Sequence, residues 1–140
     1  MNTLEFVNLG LPSGKLWATE NAKNENDDEA YFTFDGAVET FGKKLPSKED
    51  WKELFDNCSY KWNRKRKGYD VTGPNGNSIF LPAAGYRYGA SMYYVGGSGF
   101  YWSSSVLNVY RAYNVLFSSG YLNPRNRRIR CNGFSVRLVQ

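Results

Sequence analysis

The sequence predicts an α+β domain built on an antiparallel sheet. Short alternating apolar runs recur between clusters of Gly, Pro, Asn and Ser, which is how strands and tight turns read. Two stretches switch to helical spacing and carry caps. The chain has 140 residues, 14 of them Gly and 11 Tyr. That length suits a single domain, residues 1–140, with one core.

In chain order, Glu5 to Leu9 alternates as a strand, Leu11-Pro12-Ser13-Gly14 is turn chemistry, and Lys15 to Ala18 returns as a second strand. Asn21 to Glu29 is polar and acidic and reads as a surface loop. Asp35 to Gly42 reads as a short helix with Asp35 as N-cap and Gly42 as stop. The clearest helix is Leu45 to Phe55: Ser47 caps it, Asp50 occupies the capping-box position, and Trp51, Leu54 and Phe55 share one core-facing stripe. Tyr60-Lys61-Trp62 is a strand leading into Arg64-Lys65-Arg66-Lys67, read as an exposed hairpin tip. Tyr69 to Thr72 and Ser78 to Leu81 flank Gly73-Pro74-Asn75-Gly76-Asn77, a hairpin signal. After a Gly-rich loop at Gly96 to Gly99, Phe100 to Ser103 reads as a buried strand.

Net charge is +5, unevenly placed: after Trp102 there are six Arg and no Asp, Glu or Lys. Such asymmetry points to an anionic partner or to a solvated basic rim. The chain has no His, which removes His-activated nucleophiles and His-ligated zinc. Cys58 follows the second helix and reads as a small buried residue. No apolar run approaches the roughly 20 residues of a membrane span, and Met1 to Glu5 lacks the start of a signal peptide. Asp50 and Glu53 read as solvated charges near a helix N-terminus and not as an acid–base pair.

Five stretches stand in a distinctive order: Val7 to Ala18, Leu45 to Trp51, Ile79-Phe80-Leu81-Pro82-Ala83-Ala84-Gly85-Tyr86-Arg87, Tyr101-Trp102-Ser103-Ser104-Ser105, and Gly133-Phe134-Ser135-Val136-Arg137. Together they resemble the bacterial "major paralogous domain" type, a family with a C-type lectin fold, and the variable proteins of diversity-generating retroelements. The resemblance covers nearly the whole chain. It implies a C-type lectin fold in which Phe6 to Leu9 pairs with Ser135 to Val139 and the middle of the last stretch lies across one exposed face. It also implies display on a bacterial surface or phage particle, with the 3′ end of the gene rewritten by a reverse transcriptase that misreads adenines.

The composition of Ser103 to Asn132, the expected variable region, fits that history. Mutagenised AAC or AAT codons never yield Lys, Glu, Gln, Met or Trp. Lys, Glu, Trp and Met make up 22 of the first 102 residues, so 30 residues at that rate hold about six; Ser103 to Asn132 holds none. What remains is Tyr, Asn, Ser and Arg, the vocabulary of a paratope. The candidate contacts are Leu107, Val109, Tyr110, Arg111, Asn114, Ser118, Tyr121, Asn123, Arg125, Asn126, Arg127, Arg128, Arg130 and Cys131. Ala112, Val115, Leu116, Phe117 and Phe134 read as core, and Gly120 as a turn.

The expected function is therefore non-enzymatic binding of a protein or glycan. The alternative is a polyanion or nucleic-acid binder that uses Arg64 to Lys67 with the Arg125 to Arg130 cluster. No calcium site, other metal or cofactor is expected: the stretch nearest to a lectin calcium motif is Asn123-Pro124-Arg125, and no acid follows it.

Overall fold

The computed structural model describes residues 4–24 and 30–140, so the acidic part of the expected 21–29 loop lies outside the described residues. Among the described residues strand takes 44% and helix 16%. This corrects the α+β expectation, because the domain is mostly β. The four sheets are small and antiparallel, and with two helices they do not clearly form a classical C-type lectin arrangement.

Strands β1 (Phe6–Asn8) and β2 (Leu16–Ala18) form a hairpin. Helix α1 (Phe34–Phe41) is followed by a 3-10 turn, and α2 spans Lys48–Asn57. Three strands, β3 (Ser59–Asn63), β4 (Gly68–Thr72) and β5 (Ser78–Pro82), form a meander. A small hairpin, β6 (Tyr86–Tyr88) and β7 (Ser91–Tyr93), follows. The largest sheet consists of β8 (Gly99–Val106), β9 (Arg111–Ser118) and β10 (Tyr121–Ile129), with β9 in the middle.

Local chemistry explains most of these boundaries. Ser47 Oγ accepts from Asp50 N and Asp50 Oδ2 accepts from Ser47 N, the capping box legible in the sequence. The cap of α1 is Thr33 and not Asp35: Thr33 Oγ1 accepts from Gly36 N at 3.1 Å, which leaves Asp35 in the first turn. The basic run is a hairpin tip, with Asn63 Oδ1 accepting from Lys65 N and Arg66 N. In the β6–β7 hairpin, Gly89 supplies the positive φ that its two-residue turn requires.

The central sheet has apolar side chains on both faces. Tyr101, Val115 and Phe117 join Trp51, Leu54 and Phe55 of α2 and residues of β4 and β5 in one cluster. Phe100, Trp102 and Ala112 join Phe34, Phe134 and Val136 in another, with Leu116 half-buried beside it. Gly99 is what lets the first cluster close, since a Cβ there would stand 2.2 Å from the ring of Phe117.

The segment 133–139 stitches these sheets together. Ser135 bridges Tyr101 of β8, Gly133 bridges Arg87 of β6, Phe134 bridges Phe32 and Val139 bridges Trp17 of β2. The partner of the C-terminal segment is therefore β2, not the expected Phe6 to Leu9. Burial gives the reason: Trp17 and Ala18 are fully buried, whereas β1 is only half-covered and suits an outer position.

Arg137 lies at the centre of this seam, 1% exposed. Its guanidinium donates to Asn21 Oδ1 from Nε (2.9 Å) and Nη2 (2.7 Å), to the Ala18 carbonyl (3.1 Å) and to the Phe80 carbonyl (2.6 Å). Burial lowers its pKa. The neighbouring Tyr101 hydroxyl donates to the Pro82 carbonyl and accepts from Asn21 Nδ2, and burial pushes its pKa up to about 12.

Candidate ligand-binding surface

Strand alternation decides where the candidate residues go. On β10, Arg127 pairs with Tyr113 and Ile129 with Arg111 on one face; Asn126 pairs with Asn114 and Arg128 with Ala112 on the other. The expected basic cluster Arg125 to Arg130 is therefore divided between two faces. Arg125 and Arg127 are exposed. Arg128 lies over the Phe100 ring at 5.7 Å, and Arg130 lies over Phe34 at 4.9 Å while pairing with Asp35. The stretch 103–132 likewise serves both sides of the sheet and does not lie across one exposed face, as the resemblance implied.

A register shift between Asn123 and Asn126 bends β10 next to the cleft that follows. Asn123 Oδ1 accepts from Arg125 N at 3.0 Å and holds the bend. Across the sheet, the β8–β9 loop is clamped by Asn108, whose side chain accepts from Tyr110 N and Arg111 N, both at 2.9 Å. Arg130 Nη1 donates to the Asn108 carbonyl at 3.2 Å, so the salt-bridged arginine also braces this loop.

Between the bend and the loop lies a cleft of about 330 Å³ lined by Leu107, Arg111, Asn123, Arg125, Asn126 and Arg127. All six were candidate contacts. The ion pairs among the described residues engage Lys15, Lys52, Arg66 and Arg130, so none of the three cleft arginines has an acid partner there.

Two further depressions flank the cleft residues in sequence. One, of about 390 Å³, is lined by Val109, Tyr110, Arg130 and Cys131 together with Thr33, Asp35 and Ile129. The other, of about 290 Å³, sets Tyr121 among Tyr60, Trp62 and Tyr69. In sequence Tyr60 and Trp62 carry only a strand signal, and nothing in their spacing around Lys61 shows that β3 borders the β9–β10 turn.

The remaining candidates fall differently. Asn114 is fully buried: its Nδ2 donates to the Val115 carbonyl at 3.2 Å and its Oδ1 accepts from Asn126 Nδ2 at 3.3 Å. It supports the cleft from below and does not present a contact. Ser118 is half-buried, and its carbonyl accepts from the Tyr69 hydroxyl at 2.8 Å. Cys131 is an exposed free thiol, whereas Cys58 is buried and its pKa is raised, chiefly by desolvation.

Residues 59–139 match the family described as "Domain of unknown function (DUF8237)". The chain belongs to this family. The matched region runs from β3 to the C-terminal seam and contains every candidate contact. No curated protein and no solved structure matches the chain.

Proposed function

We propose that this DUF8237 chain is a non-enzymatic recognition domain whose β8–β10 surface binds a protein or glycan on a cell surface. Residues 103–132 are its diversified region, rewritten by adenine-directed mutagenesis in the manner of a retroelement variable protein, and the domain is displayed on a bacterial surface or phage particle. One observation carries this reading. Six candidate residues, spread along the chain from Leu107 to Arg127, converge on one cleft. Their backbone is held by the side chains of Asn108 and Asn123, so the four exposed side chains, Leu107, Arg111, Arg125 and Arg127, can vary over a fixed frame.

The residues that close the variable stretch support the same division. Trp102 and Phe134 are fully buried and stacked at 4.2 Å, and the indole of Trp102 donates to the Phe32 carbonyl. The polyanion alternative draws on the six arginines after Trp102. It is weakened by the division of Arg125 to Arg130 between faces, and by Arg66, which lies 3.6 Å from Asp70 and 3.8 Å over the Phe80 ring.

A display library tests the reading. Exposed positions 107, 109, 110, 111, 125 and 127 are randomised through adenine-reachable codons and the pool is panned on several unrelated cell-surface proteins. The expected result is folded binders to more than one target with an unchanged frame. A pool that unfolds, or that yields no binder to any target, contradicts it.

A further inference from the structure

The cleft in this particular sequence has a definite chemistry, and it narrows the ligand class. Arg111, Arg125 and Arg127 converge with Asn123 and Asn126 and without an acid partner among the described residues. Guanidinium groups so placed favour a planar oxyanion held by paired N–H donors. The two amides can donate beside them. A volume of about 330 Å³ suits one side chain or a small group and not an extended strand of polymer.

The rim adds a second observation. Leu107, which lines the cleft, continues into Val109 and Tyr110, which are 79% and 75% exposed. The three belong to one loop, clamped by Asn108, with Leu107 at the cleft and Val109 and Tyr110 at the neighbouring depression. An exposed apolar loop next to a cationic cleft offers aromatic and arginine anchors to a protein partner. The six cleft-lining residues include no aromatic platform on which a sugar ring could stack.

We infer that this chain recognises an acidic protein segment, with an Asp or Glu side chain seated among Arg111, Arg125 and Arg127 and a neighbouring apolar residue packed on Leu107, Val109 and Tyr110. The inference rests on the recognition-domain reading and adds the partner's chemistry to it.

The test pans a phage-displayed random peptide library on the intact domain, then titrates synthetic versions of the enriched peptides by fluorescence anisotropy at low and high NaCl. A heparin fragment and a short DNA duplex are titrated in parallel. Enriched peptides should pair Asp or Glu with an adjacent large apolar residue, and their binding should weaken as salt rises. R125S/R127S should raise Kd by about tenfold or more, as expected for losing charge-assisted hydrogen bonds, whereas R64S/K65S at the hairpin tip should not. Should the arginine variant unfold, the salt titration and Gln-for-Glu peptides on the wild-type domain decide the matter.

Enriched peptides without acidic residues, or acidic peptides indifferent to salt and to Gln substitution, overturn the inference and leave the recognition-domain reading intact. Heparin or DNA binding that outcompetes the peptides and falls in R64S/K65S overturns both in favour of a polyanion patch.

Discussion

Arg127 and Arg137 stand ten positions apart and do opposite things. Arg137 is buried in the seam, with Asn21 and two backbone carbonyls accepting its donors. Arg127 is exposed at the cleft and has no acid partner among the described residues. The first is fixed by what surrounds it; the second faces whatever arrives. What separates them is the chain between: β10 ends at Ile129, Arg130 ties the loop to α1, and from Gly133 onward every residue to Val139 is buried. The exposed surface and the segment that closes it thus differ in how firmly they are held.

Arg137 is where the seam should be most sensitive to substitution. Arg137→Met removes the donors to Asn21, Ala18 and Phe80 and strands buried acceptors, so urea unfolding should show a loss of about 3 kcal/mol or more. A loss under about 1 kcal/mol would mean that the seam is not held there. Tyr101 gives the same region a pH signature. Its folded pKa of about 12 lies above its ordinary value of 10.0, so the neutral phenol is favoured in the folded state. The stability this contributes is complete below pH 10.0 and is lost as pH rises through 12, on the order of 2–3 kcal/mol. Thermal melts across that window should fall more steeply for wild type than for Tyr101→Phe.

Gly99→Ala probes the packing under the sheet. The added methyl would meet the Phe117 ring, at a cost of about 1–3 kcal/mol in chemical denaturation. Asn114→Ala sharpens the boundary between frame and surface. Loss of its two amide hydrogen bonds should cost about 1–2 kcal/mol, which would set it apart from its neighbours on the candidate list. The smallest effect belongs to the cleft: Arg111→Ser, Arg125→Ser and Arg127→Ser should each shift stability by no more than about 0.5 kcal/mol in the same assay.

The sequence was most legible where a local rule acts alone. The capping box at Ser47 and Asp50, the stripe of Trp51, Leu54 and Phe55, and the turn at Gly73 to Asn77 could all be read from spacing. It was least legible where tertiary partners decide. Asn114 is polar and lies in a Tyr/Ser/Asn-rich stretch, so its type suggests a surface position. Only the pairing of β9 between β8 and β10 turns it inward. The register shift at Asn123/Asn126 sets the bend beside the cleft, and nothing in the local pattern announces it. The exchange of Thr33 for Asp35 as cap is a two-residue slip, because both side chains can accept the first-turn N–H groups. The fold-level expectation failed for a different reason. Motifs spread along the chain carry no information on pairing, whereas the balance of strand and helix depends on how each short run is paired.

Whether the 103–132 surface is rewritten over a fixed frame is read from the DNA sequence of the region flanking the gene. The expected result is a near-copy of the stretch encoding Trp102 to Arg137, beside a reverse-transcriptase gene, differing only at adenines in codons for exposed residues such as Tyr110, Arg111, Arg125 and Arg127 while leaving Trp102 and Phe134 untouched. The absence of any such copy, or a copy whose differences fall at random bases or in the buried seam, would contradict it.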